Sequence, residues 1–256
     1  MLPFQMRSDV VDLREFYDTR TGHVARLLIR RALRNLWPDV RGQQLLGLGY
    51  ATPYLLQFRD EAERVFAFMP AQQGVMHWPE EGPQAVALVD ETELPLPDNS
   101  VDRVLLVHAV ENSEALRYLL RETWRVMAGN GRLLVVVPNR RGVWARFERT
   151  PFGRGLPYTP SQLSRFLRDN MFTPTRSARA LYIPPTRSHT LLRTAPAWER
   201  LGMRWFPTFA GVVVVEASKQ LYAGTLTHEP ARLRLGRPVV VPFPQVAGRG
   251  SDDGGA

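Results

Sequence analysis

Apolar residues recur at three- and four-residue spacing from Asp9 to Trp37. Val10, Leu13, Phe16 and Tyr17 share one face, and Val24, Leu27, Leu28, Leu33 and Leu36 continue the pattern. This predicts two amphipathic helices, or one kinked at Gly22, ended by Pro38. The next run, QQLLGLG (Gln43 to Gly49), is a short strand that enters glycine. ATPYLLQFRDEAE then offers Thr52 as an N-cap and Pro53 at the first helical position. The reading here is strand, tight glycine turn, helix.

Further along, Arg64 to Phe68, Ala85 to Val89 and Val101 to Val107 read as strands. Ser113 to Met127 carries Leu116, Leu119, Leu120, Trp124 and Met127 on one helical face, with Gly129-Asn130-Gly131 expected as the closing turn. Arg132 to Val137 is as apolar as a strand buried on both faces, and Pro138 stops it. Strands separated by helices predict an α/β fold, a Rossmann-like, mostly parallel sheet with crossover helices. Ser161 to Asn170 and part of Thr194 to Trp205 read as helices, and Thr175 to Ile183 and Gly211 to Ala217 as strands. Arg140 to Pro160 is rich in Gly, Pro and Arg and falls directly after a central strand, the place for a substrate-covering loop. We therefore expect a domain over 1–225, with a helical lid at 9–37 and a cap at 140–205. Beyond about Leu226 the periodicity lapses, and a flexible tail is expected over 226–256.

Composition narrows the chemistry. With 256 residues, 44% hydrophobic and 23% charged, the chain can enclose a large core. It contains no cysteine, which removes disulfides, thiolate nucleophiles and Cys-ligated metals. His23, His77, His108, His189 and His228 show no ligand spacing, so no metal site is expected. The net charge of +8 comes from 32 arginines and a single lysine, Lys219, dispersed along the chain. That dispersal favours a small-molecule substrate over nucleic acid. No apolar run approaches the roughly 20 residues of a membrane span, and the amino terminus lacks a signal-like basic and apolar sequence. A cytoplasmic protein without membrane association is the expectation.

The downstream block sharpens this. Leu94-Pro95-Leu96-Pro97-Asp98-Asn99-Ser100-Val101-Asp102 is followed by a strand ending at His108 and then a helix. Met127-Ala128-Gly129-Asn130-Gly131 and a final apolar strand complete it. In order and spacing the block resembles the type 11 group of class I S-adenosylmethionine-dependent methyltransferases. The likeness spans about residues 10 to 220 and is strongest from 85 to 140. It implies a seven-stranded sheet with Gly211 to Ala217 antiparallel, and S-adenosylmethionine as cofactor. Matched residue by residue, it puts Gly47, Gly49, Tyr50 and Ala51 under the methionine part, and Phe68 and Met69 at the ribose edge. Asp90, Glu91 and Thr92 take the adenine, His108 the sulfonium region, and Tyr17 covers the methionine end. His108 and Glu111 are the titratable pair at the mouth, suited to taking a proton from a nucleophile.

Two positions depart from the family. Leu45 stands where an acid precedes the glycine turn, and Phe68-Met69-Pro70 where an acid grips the ribose hydroxyls. Gln72 or Gln73 would then serve the ribose. The expected function is methyl transfer from S-adenosylmethionine to a small molecule. The alternative is a non-catalytic protein of the same fold that serves as a partner for another protein.

Overall fold

Valine- and leucine-rich runs without polar alternation can be buried on both faces, and they form the middle of the sheet in the computed structural model, which describes residues 8–221. The strands are β1 (Gln44–Gly49), β2 (Arg64–Pro70), β3 (Val86–Val89), β4 (Val101–Val107), β5 (Met127–Pro138), β6 (Phe172–Ala180) and β7 (Val212–Lys219). They pair in the order β3-β2-β1-β4-β5-β7-β6. The first five are mutually parallel, and β7 runs antiparallel between β5 and β6. The direction of winding reverses between β1 and β4, where open α/β sheets bind ligands at their carboxyl ends.

The helices are α1 (Val10–Asp18), α2 (Arg20–Leu36), α3 (Thr52–Leu55), α4 (Leu116–Val126), α5 (Pro160–Asp169), α6 (His189–Arg193) and α7 (Ala195–Trp205). One core forms where α1, α2 and α3 pack Leu13, Ile29, Leu33 and Tyr54 against Leu45, Leu105 and Val214. The other forms where α4 and α5 pack Leu119, Leu120, Leu163 and Leu167 against Leu46, Leu106 and Val135. Among the described residues no helix is long and apolar enough to cross a membrane. The stretch from 140 to 205 contains α5 and edge strand β6 as well as irregular chain, and the expected tail at 226–256 lies outside the described residues.

Several boundaries differ from the sequence expectation for local reasons. The amino-terminal helices part at Thr19, not Gly22. The Thr19 N–H donates to Phe16 O at 3.0 Å, ending α1, while its hydroxyl accepts from Gly22 N at 3.0 Å, starting α2. Thr52 is no N-cap. It is the first residue of α3, whose cap, Ala51, offers no side-chain bond, and the helix gives way after four residues to a tighter turn at Leu56–Phe58. The Gly129-Asn130-Gly131 turn is a bulge inside β5. Met127 pairs with Val101 and Arg132 with Arg103, so the residues between them loop out of register.

Candidate active site

Gly49, the last residue of β1, has φ +76°, and a Cβ there would lie 2.5 Å from Val107 O and 2.9 Å from Ala109 Cβ. Glycine is thus required by the close approach of β1 to the end of β4. Just beyond β4, His108 adopts φ +52°, an uncommon conformation for a side-chain-bearing residue. It is fixed from both sides of its carbonyl, which accepts from Gln73 Nε2 and Asn112 Nδ2, each at 3.0 Å. That twist turns the imidazole under α1.

There it joins a buried chain of polar groups. His108 Nδ1 lies 3.0 Å from Glu111 Oε1, His108 Nε2 lies 2.8 Å from the Tyr17 hydroxyl, and that hydroxyl lies 2.7 Å from the Tyr54 hydroxyl. In the tautomer that carries its proton on Nδ1, Nδ1–H donates to the carboxylate. Nε2 then accepts from Tyr17, whose oxygen accepts from Tyr54. Aromatic rings wall the chain: Tyr50 stacks on Tyr17 at 5.7 Å between centroids, and Phe152 lies 5.1 Å from His108. Burial pushes the Tyr17 phenol well above its ordinary value, with Tyr54 adding to the rise, and burial raises Tyr50 to about 12. Neither is a source of phenolate near neutrality.

Beside this chain is a second polar group of residues. Ser8, Gln72, Gln73, Glu91, His108, Asn112 and Ser113 line a cavity of about 20 Å³ at the carboxyl ends of β2, β3 and β4, room for about one water. Four atoms of these residues, Ser8 Oγ, Gln73 Oε1, Asn112 Oδ1 and Ser113 Oγ, are buried without a hydrogen-bond partner among the described residues. The amino-terminal segment closes this cavity, with Val10 N donating to Gln73 O at 2.7 Å. The irregular chain after β5 holds α1 down in turn: Arg154 pairs with Asp12, and Phe152 and Trp144 meet Phe16 edge-on.

The structure distributes the expected site residues unevenly. Tyr17, His108 and Glu111 meet in the buried chain, Tyr50 stacks on Tyr17, Gly47 and Gly49 lie in β1, and Ala51 caps α3. Glu91 lines the cavity and also accepts from Glu114 N and Ala115 N ahead of α4. Asp90 is exposed and spent locally, its Oδ1 accepting from Thr92 N and the Thr92 hydroxyl. Phe68 and Met69 are buried on opposite faces of β2, one in each core, so neither offers an edge to a ribose. Tyr54, Phe152 and Ser8 were missed. Tyr54 had a signal, since it follows Tyr50 by four residues across the helix start.

An open α/β sheet with this strand order, an antiparallel seventh strand and a polar crevice at the switch point defines the class I methyltransferase fold. Residues 46–135 match the model of the family described as "Methyltransferase domain", and this stretch is a class I S-adenosylmethionine-dependent methyltransferase domain, with S-adenosylmethionine as its cofactor. Solved structures agree on the fold. A SAM-dependent methyltransferase from Thermotoga maritima aligns with TM-score 0.58 at 15% identity, over 82% of this chain and 96% of its own. One from Archaeoglobus fulgidus aligns with TM-score 0.55 at 18% identity, over 82% and 98%. The [4+2]-cyclase SpnF aligns with TM-score 0.50 at 20% identity, over 76% and 80%. No curated protein sequence matches the chain.

Proposed function

We propose that the domain methylates a small molecule, using the Tyr17–His108–Glu111 chain to take the proton that the nucleophile gives up. The observation that carries this reading is the buried Tyr17–His108–Glu111 hydrogen-bond chain, whose His108 follows β4 at the switch point of a methyltransferase domain. S-adenosylmethionine, when bound, supplies an electrophilic methyl group. The unpartnered Gln73 Oε1, the buried Glu91 and the backbone at Gly47 to Ala51 suit its polar edges. The closed cavity does not suit its size, so the cofactor fits only with the Ser8–Val10 segment displaced. As the nucleophile loses its proton to the Tyr17 oxygen, Tyr17 hands its own to His108 Nε2, and Glu111 stabilises the resulting imidazolium. Dispersed arginines and the modest size of the crevice support a small substrate.

Calorimetric titration of the full chain with S-adenosylhomocysteine tests the cofactor site, and saturable heat is expected. A folded sample giving none at millimolar ligand would favour the second reading, a non-catalytic partner protein. The filled crevice and the neutral residues Leu45 and Phe68 are what recommend that reading. With a panel of small oxygen and nitrogen nucleophiles, Glu111→Gln should slow S-adenosylhomocysteine release about 100-fold, the usual scale of acid–base assistance.

A further inference from the structure

At the opposite end of the strands, the sheet face covered by α2 carries a row of charges. Arg103 on β4 and Arg132 on β5 are register partners in a parallel pair, so their side chains emerge next to each other on one face. On the same face, Glu216 of β7 is the register partner of both Leu134, two residues beyond Arg132, and Arg176 of β6. These four residues, with Trp37 and Asp39, line a cavity of about 470 Å³. Like charges side by side in a sheet are destabilising, so this placement calls for compensation.

The carboxylates present provide it only in part. Glu216 accepts from Arg176 Nε at 2.7 Å and Nη2 at 3.0 Å, from Thr175 Oγ1 at 3.0 Å and from Trp37 Nε1 at 3.2 Å. Asp39 is held by Arg41 through bonds of 2.6 to 3.1 Å. Arg103 is left with a single neutral acceptor, Gln43 Oε1 at 2.6 Å, and lies over the Trp37 ring at 5.4 Å. The Arg132 side chain makes no hydrogen bond or ion pair among the described residues. Burial, opposed by Glu216 and reinforced by Arg132, holds the Arg103 guanidinium below its ordinary value. Two guanidinium groups thus line a roomy cavity, the Arg132 side chain without an ion pair among the described residues and Arg103 with Glu216 and Asp102 acting on it only through space.

We propose that this cavity is a binding site for a phosphoryl group, held between Arg103 and Arg132. The two side chains rise from neighbouring strands about 4.8 Å apart onto one face and line one cavity. A phosphoryl group, tetrahedral and doubly charged, satisfies both, whereas a single carboxylate satisfies one. Neither the glycine turn nor the Tyr17–His108 chain takes part, so the site stands independently of the methyl-transfer reading.

Inorganic phosphate and pyrophosphate, titrated calorimetrically into the full chain at constant ionic strength, provide the test, with acetate as the carboxylate probe. Both phosphates should bind saturably, and acetate should not. Arg132→Gln should weaken phosphate binding at least about tenfold, the loss of one charge-assisted pair, while the melting temperature shows the fold intact. Arg103→Gln should weaken it similarly. Pyrophosphate binding more tightly than phosphate would point to a phosphorylated larger ligand as the source, and equal affinity to the free ion. The proposal is overturned if neither phosphate binds saturably at millimolar concentration, if acetate binds equally well, or if affinity is unchanged in folded Arg132→Gln.

Discussion

The two ends of the same strands handle polar groups in opposite ways. At the carboxyl end, Tyr54, Tyr17, His108 and Glu111 are hydrogen-bonded in series, with Glu111 Oε2 buried and unpartnered among the described residues, and the adjoining cavity measures about 20 Å³. At the amino end, Glu216 and Asp39 are each claimed by an arginine, and the side chains of Arg103 and Arg132 line about 470 Å³ with no ion pair of their own among the described residues. Polar groups bonded in series fix geometry before any ligand arrives, whereas a cluster left with net charge leaves its guanidinium donors open to one. The difference also sets where stability resides. The carboxyl end depends on its hydrogen-bond chain, and the amino end on the apolar floor beneath its charges.

That floor gives the largest expected effect. Trp37 is 1% exposed, packs edge-on against Phe58 at 5.9 Å and lies beneath Arg103. Trp37→Ala should cost about 3–5 kcal/mol in urea unfolding, the range for truncating a buried aromatic. A loss near 1 kcal/mol would mean that the charges, and not the ring, hold this end together.

Tyr17→Phe comes next. It keeps the ring stacked on Tyr50 but strips the hydroxyl that bridges Tyr54 and His108, leaving His108 Nε2 buried without a donor. The expected loss is about 1–3 kcal/mol, the penalty for one orphaned buried group. An unchanged unfolding midpoint would break the contrast, because the chain would then contribute nothing to closing the crevice.

How much of this contrast the sequence announces depends on the range of the interactions. Apolar runs disclosed β1, β4, β5 and β7, because burial on both faces removes polar alternation over most of their length. The glycine turn and His108 were legible from their places at strand ends. The Gly129-Asn130-Gly131 bulge was not. Glycine signals a departure from regular backbone, but only pairing with β4 decides that the chain stays in the sheet. Tyr54 and Phe152 reach Tyr17 and His108 from 37 and 44 positions away in sequence, and no local period records such a meeting. The arginine pair is equally hidden, because Arg103 and Arg132 become neighbours only through strand register. The closure by Ser8 depends on a backbone bond from Val10 to Gln73, which any residue at position 10 except proline would supply.

An effect confined to acid solution isolates Glu216. Burial pushes its carboxyl up, but hydrogen bonds from Arg176 and Thr175 outweigh burial and hold it below its ordinary value. A depressed carboxylate stabilises the fold above the unfolded value near 4.3, and that contribution is lost as pH falls toward the folded value. Stability of the native chain should therefore decline below about pH 4.5 more steeply than that of Glu216→Gln, with the two curves parallel between pH 6 and 8. Parallel curves throughout would show that Arg176 does not hold the carboxylate in its charged form.

The smallest effect bears on how the carboxyl end opens. Asp9 caps α1, its Oδ1 accepting from Asp12 N at 2.8 Å, and the next residue makes the bond from Val10 N to Gln73 O that closes the cavity. Asp9→Ala removes the cap at a cost of about 1 kcal/mol. The cost falls on the closed state, so the expense of displacing this segment drops by at most the same amount. Since 1 kcal/mol is a factor of about 5 in an equilibrium constant, S-adenosylhomocysteine should bind up to about fivefold more tightly to Asp9→Ala while the protein melts slightly earlier. Weaker binding would mean that the first turn of α1 contacts the cofactor and belongs to its site. Equal binding with a lowered melting temperature would place the closure further along α1, at Tyr17 and the Asp12–Arg154 pair, and the same titration on Asp12→Ala would then show the gain.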